Sequence, residues 1–258
     1  MRSTVREEKI AQEFWTGTGL ADRFPREIET AVALKLPLTL VKVPSVNVDS
    51  VRRWLVSRRL RASLPPEQHE LMGCLVAFRG FGVAFINGSD PVEEQRLTVA
   101  HETAHFLEDY LRPRRELLAG LGEGISEVLD GARAPTAAER ANAVLAHLRV
   151  GVHVHLLPRR DASGALESMI DIVEDRADRL GLELVAPRRR VLEACRAAGR
   201  SFQSPMELAA ILSLRFGLPG HAFAAYLARP IGRTSVPSFF EDIRSVLTAA
   251  VQSPHGKR

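Results

Sequence analysis

The stretch QRLTVAHETAHF, residues 95–106, contains two histidines four positions apart and a glutamate directly after the first of them. It belongs to a segment, residues 92–112, that has no glycine or proline and carries its apolar residues at helical spacing. We therefore predict a helix that is buried on much of its circumference. Because proline cannot continue a helix, we expect this helix to end near Pro113.

The two histidines of this helix have the spacing of metal ligands. On a helix, residues at i and i+4 are separated by about 40° around the axis, so His101 and His105 can reach one ion. Glu102 points about 100° further round, where its carboxylate could take a proton from a water activated by the metal. The spacing indicates hydrolytic zinc chemistry; the alternative is a pair of helix-face histidines satisfied by hydrogen bonds.

A catalytic zinc takes three protein ligands and keeps one position open. No Gly-x-x-His sequence follows His105, so a carboxylate from a later helix is the natural source of the third ligand.

Residues 95–106 resemble the first signature of the ImmA/IrrE metallopeptidases, in which a strand pair ending in an Asn turn leads into the zinc-binding helix. The second signature of that family, Glu-x-x-Ala-Asn/Asp followed by small and apolar residues and a proline, is similar to EDRADRLGLELVAP, residues 174–187. The resemblance covers about residues 71–187. It implies a zincin-like peptidase core in which His101, His105 and Glu174 hold Zn²⁺ and Glu102 is the general base.

The resemblance also implies a substrate. Members of the family often act on a helix-turn-helix transcriptional repressor, whose cleavage releases stress or mobile-element genes. Asp178, one turn after Glu174, is a candidate to orient a ligating histidine, with a solvated helix-face position as the alternative. Three further residues are candidate oxyanion donors, each with a packing or structural role as the alternative: Tyr110, His153 and His155.

The chain departs from the family pattern between the two signatures. Between His105 and Glu174 lie 68 residues, so we expect an insertion of one helix and one strand, about residues 113–164, to loop out without disturbing the site. Within it, the sequence ERAN at residues 139–142 is an imperfect copy of the carboxylate motif, which makes Glu139 the alternative third ligand. Glu174 is favoured because it has the full spacing and the terminal Pro187. Ala104 replaces a glycine that often precedes the second histidine, a mild change within a helix.

The remaining patterns predict an α+β, mostly helical fold with a small β-sheet. Two β-compatible runs, residues 71–78 and 82–86, precede the turn NGSDP and predict a hairpin. We divide the chain into an N-terminal helical segment with one strand (1–65), the peptidase core (66–190) and a C-terminal helical domain (191–258). In the last, helices at about 205–215 and 220–229 have a helix-turn-helix-like outline.

Composition limits the other function classes. With 45% hydrophobic residues in 258 and a net charge of +4, the chain is globular, and nucleic-acid binding is allowed but not demanded. The alternative function is a DNA-binding or protein-binding regulator that uses the C-terminal helices and keeps a structural or relic zinc site. Residues 220–229 are too apolar for a recognition helix. Two distant cysteines and the lack of an apolar leader or spanning segment favour a cytoplasmic protein without a membrane partner.

Overall fold

The structure is a computed structural model that describes residues 2–66, 69–140, 150–159, 168–198 and 205–223. Its fold is α+β, mostly helical with a small mixed sheet. The chain divides into two compact units: Ile28–Gly181, which we call the core unit, and a second unit made of Met1–Glu27 together with Leu182–Arg258. Within the described ranges, no helix combines the length and apolar character needed to cross a membrane.

The helices and strands follow one another along the chain with short connections. The helices are α1 (Arg2–Trp15), α2 (Ile28–Lys35), α3 (Val48–Ser57), α4 (Val92–His105), α5 (Arg112–Leu121), α6 (Ser126–Leu129), α7 (Ala137–Arg140), α8 (Ser168–Val185), α9 (Arg188–Ala198) and α10 (Pro205–Phe216). A π-helical segment, Phe106–Leu111, joins α4 to α5, and a 3₁₀ turn, Glu123–Ile125, precedes α6. The strands are β1 (Leu38–Val43), β2 (Val46–Asn47), β3 (Glu70–Phe78), β4 (Phe81–Asn87) and β5 (His153–Pro158).

The sheet is built around β3, which lies antiparallel to β4, β2 and β5, while β1 lies parallel to β4. The predicted hairpin is β3–β4. Its turn residues Arg79 and Gly80 have φ values of 50° and 85°, the positive values that a tight two-residue hairpin turn requires. The pairing with β5 places His155 opposite Leu75.

The predicted end of the metal-motif helix near Pro113 is wrong. After α4 the backbone passes through the π-helical segment and continues as α5 to Leu121, with Pro113 in the first turn of α5. Proline is tolerated in a first helical turn, where its missing N–H has little to bond with. The change of hydrogen-bond register in the π-helical segment makes Pro113 such a position.

The expectation that residues 113–164 loop out is also wrong in part, because their strand is a member of the sheet. β5 pairs with β3 from Leu71 to Ala77 on that strand. An edge strand leaves unpaired N–H and C=O groups, and β5 satisfies those of β3.

The N-terminal residues contribute to the core unit as well. β1 extends the sheet, and Val48, Val51 and Leu55 of α3 form a buried cluster with residues of β3 such as Leu71. The two compact units therefore do not coincide with the predicted segments 1–65, 66–190 and 191–258.

The second unit is organised around the carbonyl end of α8. The indole Nε1 of Trp15 donates to the carbonyl of Leu184 at 2.8 Å, and the Arg26 guanidinium donates to the same carbonyl at 2.7 Å. Arg26 also lies 4.7 Å from the Trp15 ring centroid. α10 agrees with the helix predicted at 205–215. The helix predicted at 220–229 lies mostly outside the described residues, so the helix-turn-helix outline stays a prediction.

The second unit contains a carboxyl group whose titration affects stability. Glu183 is 8% exposed, and burial raises its pKa to about 7 despite a hydrogen bond from the Arg188 amide. Because this value lies above the unfolded one, the contribution is present at low pH and is lost as the pH rises through about 7. Between pH 5 and 8, we expect the wild-type free energy of unfolding to fall by up to about 3 kcal/mol relative to Glu183→Gln. Urea denaturation of both proteins at each pH measures this; equal slopes would contradict it.

Candidate metal centre

The helix α4 supplies two histidines to one buried point. Its apolar face packs Val99, Ala100 and Ala104 into the core, and the whole run from Thr98 to His105 is buried. The Nε2 atoms of His101 and His105 lie 3.0 Å apart. The i, i+4 spacing therefore brings the two imidazoles together as the sequence predicts.

The helix α8 supplies a carboxylate to the same point. Oε2 of Glu174 lies 3.3 Å from Nε2 of His101 and 3.7 Å from Nε2 of His105. A close approach of the two helices makes this possible, since a Cβ at Gly181 would lie 3.2 Å from backbone atoms of Ala100 and His101. Glycine at this position lets the α8 backbone come near α4.

The strand β5 supplies a third histidine. Nε2 of His155 lies 3.0 Å from Oε1 of Glu174, and its ring stacks on that of His105 with centroids 3.7 Å apart. One donor atom from each of these side chains lies within 4.8 Å of all the others, so the group could hold a metal ion: His101, His105, His155 and Glu174. The sequence predicts His155 only as an oxyanion donor or a structural residue.

Each imidazole carries a carboxylate on its other nitrogen. Since an ionised carboxylate only accepts hydrogen bonds, Nδ1 is the donor in each pair and Nε2 faces the centre. Carboxylates placed in this way orient metal-ligating histidines and increase their basicity. The pairs are His101 with Asp178 at 3.0 Å, His105 with Asp109 at 2.7 Å and His155 with Glu102 at 2.9 Å.

The charges of the centre attract cations. Burial lowers the pKa of His101, but hydrogen bonds to Asp178 and Glu174 outweigh it and raise the value to about 9. For His155 the charge of Glu102 outweighs burial in the same way and raises the pKa to about 10. The histidines hold the pKa of Glu174 below its usual range even though burial acts in the opposite direction. A divalent ion would supply the positive charge that protons otherwise provide.

The separations of the donor atoms fit a small divalent ion. Bonds of about 2.0–2.1 Å in a tetrahedron place neighbouring donors about 3.3 Å apart. The separations between Nε2 and carboxylate atoms at this centre run from 3.0 to 3.7 Å. Three imidazoles and a carboxylate are ligands that zinc and other divalent transition metals accept.

The other predicted site residues lie elsewhere. Glu139 receives hydrogen bonds from Arg133 at 2.7 and 2.9 Å and from the Thr136 amide at 2.7 Å, and it is not part of the metal group. The Tyr110 hydroxyl accepts a hydrogen bond from the Gly80 amide at 2.7 Å while the ring stacks on a neighbouring phenylalanine, which is a packing role. His153 lies near Tyr110, with ring centroids 6.2 Å apart.

Asp109 is a residue of the centre that the sequence reasoning missed. It lies in the π-helical segment, bonds His105 Nδ1 and also contacts the Arg176 guanidinium of α8. Its position four residues after His105 is a signal that could have identified it, since i and i+4 side chains are neighbours on a helix.

Comparison with known proteins adds no family assignment. No protein-family model matches the chain, and no curated protein matches it. The functional argument therefore depends on the geometry of the centre and on the two sequence signatures.

The two candidate carboxylate ligands make a matched pair of variants. We expect wild type to hold close to one divalent ion per chain after zinc is offered. Glu174→Ala should lose or strongly weaken this binding, because it removes a donor oxygen, whereas Glu139→Ala should not. Plasma mass spectrometry of the purified proteins measures the metal content. Loss of metal in Glu139→Ala alone would overturn the assignment of Glu174.

The carboxylate behind His105 should also affect metal affinity. We expect Asp109→Asn to weaken binding by about 10–100-fold, since the amide no longer increases the basicity of the imidazole. Asp175→Asn is the control, because Asp175 follows Glu174 on α8 but pairs with Arg179. Competition with a chromophoric chelator gives both dissociation constants. Equal values for the two variants would show that Asp109 does not support the ligand.

Proposed function

We propose that this chain is a zinc-dependent endopeptidase with a zincin-like core, related in its mechanism to the ImmA/IrrE metallopeptidases that its signatures resemble. One observation carries the proposal. Nε2 atoms of two histidines one helical turn apart face the carboxylate of Glu174, and Glu102, directly after the first histidine, is fully buried beside them. Zinc is the ion we propose, since tetrahedral sites with nitrogen and oxygen ligands suit it.

The carboxylate of Glu102 has one oxygen available to accept a proton. Oε2 accepts the Nδ1–H of His155, whereas Oε1 is buried and has no hydrogen-bond partner among the described residues. The nearest backbone there belongs to Gly73, where a Cβ would lie 3.1 Å from Oε1. A buried carboxylate oxygen without a partner is suited to act as a general base toward water.

The other residues bind and orient. His101, His105 and Glu174 would hold the ion, while Asp178 and Asp109 fix the two imidazoles of α4 through Nδ1. When bound, zinc would supply Lewis acidity, which lowers the pKa of water toward about 7 and polarises a peptide carbonyl.

The substrate we propose is a helix-turn-helix transcriptional repressor, cleaved in a stress or mobile-element response in the cytoplasm. The resemblance of residues 95–106 and 174–187 to the family signatures is what supports this part of the proposal. Cys74 and Cys195 are both free and buried, which agrees with a reducing compartment.

The general-base role predicts a separation of metal binding from hydrolysis. Glu102→Gln keeps the shape of the side chain and an acceptor for His155, so we expect zinc content to stay at the wild-type level. We expect hydrolysis of a quenched fluorescent peptide library to fall by about 10²–10⁴-fold, because the amide cannot take a proton. His101→Ala should lose both. Wild-type cleavage rates in Glu102→Gln would refute the role of this carboxylate.

A further inference from the structure

We propose that His155 is a fourth protein ligand of the same ion, so that the resting centre is closed by three histidines and one carboxylate. The proposal rests on the proposed function, because both need a divalent ion at this point. The family signatures do not include His155; the geometry of β5 assigns it.

The position of His155 is set by the sheet. β5 pairs with β3 over several residues, and the pair formed by His155 and Leu75 holds the histidine backbone in register. From there the ring reaches the rings of both α4 histidines, with centroids 3.7 Å from that of His105 and 5.4 Å from that of His101. Its Nε2 lies as close to Glu174 as a neighbouring ligand would, at 3.0 Å.

The orientation of the ring is that of a ligand. Nδ1 of His155 is bound by Glu102, as Nδ1 of His101 is bound by Asp178, which leaves Nε2 for the centre. His153 lies two residues earlier on the same face of β5 but outside the metal group. The environment of Nε2, and not histidine content of the strand, thus distinguishes His155.

Coordination by His155 has a chemical consequence. Structural zinc sites have four protein ligands, whereas catalytic sites keep a position open for water or substrate. A fourth protein ligand fills that position, and its Nδ1 also occupies one oxygen of Glu102. Hydrolysis then requires the imidazole to leave the ion, and since β3 holds the strand, this is a side-chain rotation.

The stacked rings indicate how that rotation takes place. The planes of His105 and His155 meet at 25°, and an imidazole binds an ion in its own plane. To share an ion the two rings must open from this angle by rotation of the His155 ring. The same torsion that brings Nε2 onto the ion can also take it away.

Metal binding and spectroscopy test the proposal without an activity assay. The full-length wild type, His155→Asn and the control His153→Ala are loaded with Co²⁺, and zinc affinity is measured by chelator competition. Asparagine keeps an N–H near the position of Nδ1 but has no atom at Nε2. We expect His155→Asn to bind zinc at least about tenfold more weakly. Azide should change its Co²⁺ absorption spectrum, because the vacant position admits an anion, and should leave the spectra of wild type and His153→Ala unchanged.

The outcomes separate the two proposals. Wild-type affinity in His155→Asn, or an azide response already present in the wild type, would overturn the fourth-ligand assignment and leave the peptidase proposal intact. Failure of the wild type to bind any metal would overturn both. Circular dichroism checks that the variant is folded, and His155→Gln, whose amide extends toward Nε2, is the second variant if His155→Asn unfolds.

Discussion

The compensation of buried negative charge is the constraint on which the core unit depends. Four carboxylates, Glu102, Asp109, Glu174 and Asp178, gather around three imidazoles on α4, β5 and α8. Taking ionised groups out of water costs several kcal/mol each unless they are paired. The imidazoles and Arg176 supply part of the pairing, and a divalent ion among the Nε2 atoms would supply the rest. The same charges that would make the empty arrangement costly therefore favour cation binding.

The carboxylates also connect the elements that carry the ligands. Asp109 bonds His105 on α4 and contacts Arg176 on α8, while Asp178 on α8 bonds His101 on α4. Glu102 connects α4 to β5 through His155. Each ligand is thus held by a partner on another element or on the adjoining π-helical segment. π-Helical turns occur often at functional sites, and this one starts directly after His105 and carries Asp109.

Local patterns in the sequence were enough to predict the parts of the site that lie on one helix. The i, i+4 spacing predicted the geometry of His101 with His105, and strand patterns predicted the β3–β4 hairpin. His155 could not be found in this way, because its place depends on pairing between β5 and β3, which are far apart in sequence. The passage through Pro113 was also missed, since it depends on a change of helical register that no residue pattern announces.

The position of His155 in the chain bears on how such a centre is controlled. It lies in the segment that the family signatures leave as an insertion, so the chain adds a ligand from outside the two motifs. Four protein ligands would bind the ion more firmly than three, but they would leave no position for water. A histidine on a strand fixed by β3 can satisfy both needs, because its backbone stays in register while its ring turns. The gain in metal retention then comes with a restraint on proteolysis that substrate binding has to overcome.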